Sequence, residues 1–331
     1  MASSSANCGA LLAAARQWKE NTCPISSLPT HDDFYQKYQF HTLIKESTDC
    51  QVWSVQLKPP KTGCAVCKLY KGDIQQRWRE YSLMHYTKLL EYKGIFYDQK
   101  NEEIAIVMET LQFDLKTLMH YRGLSRKKPT NEFGVKMIAF DILRQLSILH
   151  RTNTVHCDLK PENIMRRDYK QCPENGYKII DYGLMVENGT IKPWMGTIGW
   201  TAPEIDINSK ENMYTFATDI WGFGLIILYL LSGEQCFDLT KEQRILYNKS
   251  GKSARKRMKI LWYFNKFVCS ETGNAKEKQF AIQNYLIGLV CKEVISVELF
   301  SLLHNGILVM DSGKRWQCKE VYSSKWFDEC R

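Results

Sequence analysis

The 331-residue chain has no apolar run approaching the roughly 20 residues that a membrane-spanning helix requires. The longest candidate, residues 220–231, is shorter and contains Gly222 and Gly224. No positive charge precedes the apolar stretch at residues 10–15, so this stretch does not fit a signal peptide. We therefore expect an intracellular protein, cytoplasmic or nuclear or both, that makes no contact with a membrane.

The twelve cysteines lack the repeating spacing of a disulfide framework, which favours reduced thiols. Cys64 and Cys67 form the only close pair, and they lie in a run with the alternation of a strand. Positions three apart on a strand point to opposite faces, and no second pair is present to complete a zinc site. The pair is interpreted as two ordinary strand cysteines.

Acidic residues are missing from one segment, residues 249–259, which carries six of the basic residues behind the net charge of +9. Such a run is typical of a nuclear import signal, a nucleic-acid contact or a docking site for an acidic partner. A solvated helix face or a surface insert has the same composition, and the run alone does not separate these alternatives.

No internal repeat or low-complexity segment is present, so the order of elements carries the fold prediction. Residues 1–31 have the composition of a mobile tail, with one short helix expected at residues 10–19. Residues 40–57, 64–70, 94–97 and 104–108 have the pattern of strands, and residues 59–63 that of a turn. Helical periodicity marks residues 73–92, 131–150, 218–232, 255–267 and 280–303.

Three motifs follow one another in the second half of the chain. His156 to Asn163 have the order His-Cys-Asp-Leu-Lys-Pro-Glu-Asn; Asp181-Tyr182-Gly183 and Ala202-Pro203-Glu204 follow. Together they match the catalytic loop, the metal-binding turn and the end of the activation segment of protein kinases. From about Phe40 onward the chain resembles eukaryotic-type serine/threonine protein kinases.

The resemblance implies an α+β, two-lobed fold. One lobe is a small antiparallel β-sheet with one helix, at about residues 32–110. The other lobe is larger and mostly helical, at about residues 111–331. Residues 1–31 would lie outside this kinase domain as the mobile tail.

The resemblance also assigns the groups that phosphoryl transfer from Mg-ATP needs. Asp158 would orient the substrate hydroxyl, Lys160 would neutralise charge on the γ-phosphate, and Thr197 would bridge these two side chains. Asn163 and Asp181 would be the Mg²⁺ ligands, because this hard cation requires oxygen donors.

In the small lobe, Lys68 fits the lysine that contacts ATP, 90 residues before Asp158. Its expected ion-pair partner is Glu80; Glu91 is the rival, but it falls near the end of the predicted helix. The remaining nucleotide contacts are expected from the hinge and from apolar side chains above and below the adenine: Ile44, Val52, Ala65, Met108, Glu109, Leu111 and Met165. Asp219 would anchor the catalytic loop, and Arg315 would pair with Glu204.

Glycines are missing where the resemblance would place the glycine-rich loop, at Lys45, Ser47 and Cys50. Lys45 either offsets this loss with its positive charge or points to solvent. If it offsets the loss, Lys45→Ala raises the Michaelis constant for ATP several-fold.

Two other family residues are replaced. Cys157 stands in place of the arginine that grips a phosphorylated activation loop in many kinases, so we expect activity without that phosphorylation. Tyr182 replaces the usual phenylalanine of the metal-binding turn, and its buried hydroxyl is expected to need a hydrogen-bond partner. About five extra residues, 171–176, are expected to lengthen a surface hairpin.

The resulting prediction is an ATP-dependent kinase that phosphorylates serine and threonine hydroxyls of protein substrates. The alternative is a pseudokinase, which would bind nucleotide or regulate a partner without transferring phosphate. The missing glycines motivate the alternative, and the intact set Lys68, Glu80, Asp158, Asn163 and Asp181 favours the enzyme. A kinase of small molecules is disfavoured by the activation segment, which is typical of polypeptide binding.

Overall fold

The computed structural model describes residues 23–124, 131–167, 176–232 and 274–330. The described chain divides into two compact units. The first contains residues 23–112, Arg167 and Lys178–Gly183, and the second contains the other described residues.

The first unit is built on a five-stranded antiparallel sheet with the strand order β1-β2-β3-β5-β4. Its strands are β1 Tyr38–Glu46, β2 Cys50–Leu57, β3 Cys64–Lys71, β4 Tyr92–Asp98 and β5 Glu103–Met108. Its helices are α1 His31–Lys37 and α2 Ile74–Thr87. The sequence predicted this sheet and α2, and the run at residues 40–57 is a hairpin of two strands.

One face of this sheet forms the core of the first unit. Alternate residues of β2, β3 and β5 contribute the buried side chains Val55, Ala65, Cys67, Ala105 and Val107, as the two-residue period of a strand requires. Phe34 of α1 is fully buried in the same cluster, beside Tyr38 and Phe96. The apolar face of a short amphipathic helix therefore completes the core.

The residues just before α1 are also bonded to this unit. The N–H of Tyr97 donates to the carbonyl oxygen of Pro29 at 2.9 Å, and Cys23 is buried. Thr30 begins α1 with reciprocal bonds to Asp33: its hydroxyl accepts from the Asp33 N–H, and the Asp33 carboxylate accepts from the Thr30 N–H. Residues 23–31 were predicted to belong to the mobile tail from the composition of residues 1–31, with Pro24 and Pro29 among them.

The second unit is mostly helical. Its helices are α3 Leu115–Leu124, α4 Glu132–Arg151, α5 Phe216–Ser232, α6 Ala275–Cys291, α7 Val297–Leu302 and α8 Cys318–Tyr322. Short strands complete the chain: β6 Thr154–Val155, β7 Ile164–Arg166, β8 Tyr177–Ile179, β9 Val186–Glu187, β10 Thr190–Lys192 and β11 Asn212–Tyr214. The predicted α+β class, a sheet-based unit followed by a helical one, is confirmed.

The prediction of one continuous helix at residues 280–303 is wrong. α6 ends at Cys291, Glu293 adopts a positive φ of 55°, and Ser296 caps the start of α7 by accepting from the N–H of Leu299. Apolar periodicity continues across this break, so the pattern does not reveal it.

The predicted helices at residues 10–19 and 255–267, the basic run at residues 249–259 and most of the predicted insertion at residues 171–176 lie outside the described residues. Among the described helices, none combines the length and the apolar character needed to cross a bilayer.

Candidate active site

The loop His156 to Asn163 is held from below by Asp219, near the start of α5. The Asp219 carboxylate accepts the backbone N–H groups of His156 at 2.8 Å and Cys157 at 3.0 Å. Both bonds are buried, and Cys157 has a positive φ of 69°. Two charge-assisted bonds of this kind stabilise an otherwise strained turn. The predicted anchoring role of Asp219 is thus seen directly.

Asp158, Lys160 and Thr197 form a closed triangle of hydrogen bonds. The Lys160 Nζ lies 2.6 Å from Asp158 Oδ2 and 2.7 Å from Thr197 Oγ1. The Thr197 hydroxyl donates to Asp158 Oδ1 at 2.6 Å. Asp158 is 8% exposed and Lys160 somewhat more, so the carboxylate is desolvated yet paired with a cation. A single orientation of the carboxylate is fixed by these contacts.

Asn163 also contacts Asp158. Its Nδ2 donates to the Asp158 carbonyl oxygen at 2.8 Å and to Oδ2 at 3.1 Å. Because the amide nitrogen makes both bonds, the amide oxygen is left as the acceptor that a hard cation would use. The structure thus brings together four of the predicted residues, Asp158, Lys160, Asn163 and Thr197, in the second unit.

Thr197 reaches this triangle because Gly196 precedes it. Gly196 has a φ of 105°, and a Cβ there would lie 2.8 Å from the carbonyl oxygen of Cys157. Only glycine allows both the positive φ and this approach of two backbones. The letters of the motif alone do not indicate this packing role of Gly196.

Lys68 and Asp181 form an ion pair within the first unit. Their Nζ and Oδ1 atoms are 2.7 Å apart, and the lysine side chain is 10% exposed whereas the aspartate side chain is 44% exposed. Burial alone would lower the pKa of Lys68, but Tyr70, Asp181 and Glu80 outweigh it and raise that pKa above its ordinary value. The lysine is therefore a buried cation, held next to a partly exposed carboxylate.

The predicted ion pair between Lys68 and Glu80 is not formed in this structure. Glu80 is buried in α2, where its Oε1 accepts the Tyr92 hydroxyl at 3.0 Å and its Oε2 lies 3.5 Å from Arg77. Glu91, the rival, lies beyond the end of α2. Glu80 thus lies on α2, as predicted, but its carboxylate contacts Tyr92 and Arg77 and not Lys68.

The placement of Ala65 in the nucleotide pocket is wrong. Ala65 belongs to the core cluster with Phe34 and Cys67, on the sheet face opposite to Lys68. Val66, two residues before Lys68, shares its face, and its Cα partner on β5 is Met108. The two-residue period of β3, applied backward from Lys68, would have selected Val66.

The other expected nucleotide contacts of the first unit lie on or beside that face. Val52 is the Cα partner of Lys68 on β2, Met108 is buried at the end of β5, and Ile44 on β1 is 59% exposed. The Glu109 carboxylate pairs with Arg167 at 3.2 Å, and its N–H donates to the Glu91 carbonyl oxygen.

The remaining two positions are Leu111 and Met165. Within the described part of the chain, the Leu111 backbone makes no hydrogen bond, so its polar groups remain available to a ligand. Met165 lies on β7 in the second unit and bridges to Asp114.

The segment that lacks glycines forms a tight hairpin between β1 and β2. The N–H of Ser47 donates to the Cys50 carbonyl oxygen at 2.9 Å, and the Ser47 hydroxyl donates to the same oxygen at 3.0 Å. No residue of this hairpin adopts a positive φ. The turn thus needs no glycine, and Lys45 is an exposed residue beside it.

Two further predicted contacts are present. The buried Tyr182 hydroxyl donates to the Ile179 carbonyl oxygen at 3.1 Å. Arg315 forms a two-pronged ion pair with Glu204, at 2.6 and 2.7 Å. Both satisfy buried polar groups, as their positions in the sequence led us to expect.

This geometry agrees with a comparison against known families. Residues 66–327 match the model of the protein kinase domain. The chain belongs to the protein kinase family. The matched region of this kinase domain begins within β3 and extends beyond α8.

Known proteins of similar sequence are also named as kinases. Cyclin-dependent kinase G1 of Arabidopsis thaliana is 29% identical over 258 residues, 74% of this chain and 39% of the relative. A glycogen synthase kinase-3 homolog of Saccharomyces cerevisiae is 28% identical, covering 70% of this chain and 57% of its own length. The serine/threonine-protein kinase Kist of Homo sapiens is 26% identical, and the match covers 59% of this chain and 48% of the relative. The matches thus span about two fifths to three fifths of these relatives.

Proposed function

We propose that this kinase domain transfers the γ-phosphate of Mg-ATP to serine and threonine hydroxyls of protein substrates. The observation that carries the proposal is the triangle of Asp158, Lys160 and Thr197. A buried carboxylate fixed by three donors, Lys160, Thr197 and Asn163, orients an incoming hydroxyl and accepts its proton late in the transfer. Lys160 offsets charge on the transferred group, because it lies within 2.7 Å of both partners.

ATP and Mg²⁺ are proposed from the donor groups in each unit. Lys68 is a buried cation suited to phosphate oxygens, and Leu111 has free backbone groups suited to the adenine edge. Asp181 and Asn163 offer a carboxylate and an amide oxygen, donors that fit Mg²⁺. Bound magnesium would neutralise charge on the triphosphate.

We also propose that activity does not require phosphorylation of the activation segment. That segment already has protein contacts along its length: β10 pairs with β11, and the Tyr214 hydroxyl accepts the N–H of Met195. Thr190 is the hydroxyl of the activation segment, residues 181–204, that we take as its candidate phosphorylation site, and it donates to the Glu187 carbonyl oxygen at 2.6 Å. Cys157, where an arginine would hold the phosphate, is buried and uncharged, because burial raises the pKa of its thiol.

Transfer of radiolabelled phosphate from ATP to generic basic and acidic proteins tests the enzyme. We expect transfer by the parent chain, loss of transfer on chelation of Mg²⁺ and a fall of at least about a hundredfold in Asp158→Asn. Asp311→Asn, an exposed carboxylate in the same unit, is the matched control. Tight nucleotide binding without transfer would instead favour the pseudokinase.

Treatment with a phosphatase tests the second proposal. The treated chain is expected to transfer phosphate at an unchanged rate, and so is the variant Thr190→Ala. Loss of most activity on treatment, with recovery after rephosphorylation of Thr190, would refute it.

An intracellular location, cytoplasmic or nuclear or both, is proposed from the cysteine spacing, which favours reduced thiols. A docking role for the basic run at residues 249–259, toward an acidic partner or nucleic acid, stays a sequence-based proposal. Fluorescence imaging of the tagged chain, with the six basic residues replaced by glutamine as comparison, tests both.

A further inference from the structure

A second cluster of chemically active side chains lies in the helical unit and shares Asp219 with the loop that contains Asp158. The Cys318 sulfur is 3.3 Å from His150 Nδ1, and His150 Nε2 is 2.9 Å from Asp219 Oδ2. Cys318 is 5% exposed, and the side chains of His150 and Asp219 are 8% and 1% exposed. A thiol, an imidazole and a carboxylate are thus joined in one line.

The charge state of this line suits a nucleophilic sulfur. Burial alone would lower the pKa of His150, but the Cys318 sulfur and the hydrogen bond to Asp219 outweigh it and raise the pKa to about 10. His150 is therefore a cation at neutral pH. The imidazolium lies 3.3 Å from the Cys318 sulfur and attracts negative charge that develops on it when a thiol attacks a disulfide.

Cys318 and His150 both line a cavity of about 590 Å³. Besides His150, three of the lining side chains are cationic, Arg144, Arg151 and Lys319, and Phe216 adds an aromatic wall. None of the three cations forms an ion pair with a described residue. The space has the size of a small-molecule site, and its excess of cationic side chains selects an anionic occupant.

We propose that Cys318 is a redox modification site that takes a small acidic disulfide bound in this cavity. The thiolate of Cys318 attacks one sulfur of the disulfide RS–SR. The new S–S bond joins Cys318 to one RS group, and the RS–SR bond breaks with its electron pair on the departing sulfur. That sulfur takes the proton of the original thiol, which His150 has held, and leaves as RSH. Cys318 is oxidised, and the departing half of the disulfide is reduced.

The modification would reach the catalytic loop through Asp219. The same carboxylate that bonds His150 also accepts the N–H groups of His156 and Cys157. An adduct removes the contact between Cys318 and His150 and adds bulk where α8 meets α4. The hold of Asp219 on the loop then weakens, and if the proposed kinase activity is correct, phosphate transfer falls.

The test incubates the full chain with oxidised glutathione, which carries carboxylates, and separately with cystamine, a cationic disulfide of the same chemistry. Intact mass and peptide mapping follow the adducts with time at pH 7. Because His150 lies beside the Cys318 sulfur, we expect glutathione adducts at Cys318 at least about tenfold faster than at the exposed Cys64 and Cys291, and faster than cystamine adducts at Cys318.

Variants separate the parts of the proposal. Cys318→Ser should lose the adduct and keep the fold. Lys319→Gln should slow the glutathione reaction several-fold while leaving the cystamine reaction unchanged or faster. Adducts that form at Cys318 more slowly than at Cys64, or at equal rates with both disulfides, would overturn the site.

Hydrogen exchange of the His156 and Cys157 amides tests the coupling without any need for kinase activity. Exchange should accelerate at least about tenfold in the adduct and return after reduction. Unchanged exchange would refute the link to the loop even where the adduct forms. Failure of phosphate transfer by the unmodified chain would bear on the proposed function alone.

Discussion

The ion pair between Arg315 and Glu204 supports a quantitative prediction about stability. The Arg315 side chain is fully buried, and its guanidinium donates twice to Glu204, once to the Val309 carbonyl oxygen and once to that of Ala217. The group also lies 4.9 Å from the Trp221 ring centroid. Water cannot reach the five donor hydrogens of the arginine in such a place, so Glu204 supplies most of the negative charge that balances the guanidinium.

Glu204→Gln keeps the size of the side chain but leaves a buried cation without its anion. Loss of one partner of a buried pair costs about 3–5 kcal/mol of unfolding free energy. Since glutamine still offers one acceptor oxygen, we expect about 3 kcal/mol. Arg315→Met leaves Glu204, which is 21% exposed and so can be partly rehydrated, but it orphans two carbonyl oxygens. At about 1–3 kcal/mol per orphaned group, a similar loss of about 3 kcal/mol follows.

The assay is urea unfolding followed by far-ultraviolet circular dichroism and tryptophan fluorescence. The double variant should be less destabilised than the sum of the two single variants by about 1–3 kcal/mol, because neither charge is then left alone. Lys314→Met is the matched control: its ion pair with Asp311 spans 3.4 Å between side chains 77% and 56% exposed. Its cost is expected below about 1 kcal/mol. A Glu204→Gln cost as small as that of the control would refute the reasoning.

Three further predictions concern single side chains. Tyr182→Phe removes the buried bond to Ile179 and should lower the unfolding free energy by about 1 kcal/mol, measured in urea; no change would mean that water replaces the hydroxyl. Lys45→Ala should raise the Michaelis constant for ATP several-fold, whereas the equally exposed Lys71→Ala should not; equal constants would place Lys45 in solvent. His150 binds its proton more tightly when folded, since its pKa rises from 6.5 to about 10. Stability should therefore be full below about pH 6.5 and fall by up to about 1.4 kcal/mol per pH unit toward pH 10, and His150→Asn should flatten this slope in urea titrations.

Local patterns were sufficient to predict the family and most of the described helices and strands. Strand alternation and helical periodicity depend on neighbours a few positions apart, so the sheet and α2 could be predicted from the chain alone. The assignment of Ala65 was wrong because it rested on the position of alanine within the motif. Only residues an even number of positions from Lys68 share its face of the strand, and Ala65 is three positions away.

The partners of charged groups could not be predicted in the same way. Glu80 lies on the expected helix, yet its carboxylate contacts Tyr92 and Arg77, and Lys68 contacts Asp181. Each of these side chains has several possible partners of suitable charge. The choice depends on distances of an ångström or two after packing, which no spacing in the sequence encodes.

The loop that lacks glycines shows most clearly what the sequence determines and what the tertiary structure decides. By itself, the sequence determined that this chain is a protein kinase and that the positions expected for the glycine-rich loop carry no glycine. Only the tertiary structure decided that the altered loop closes as a hairpin without any positive φ. It also decided that Cys318, His150 and Asp219 meet although up to 168 positions separate them. Chain order restricts local geometry, but contacts between distant residues exist only once helices α4, α5 and α8 have packed.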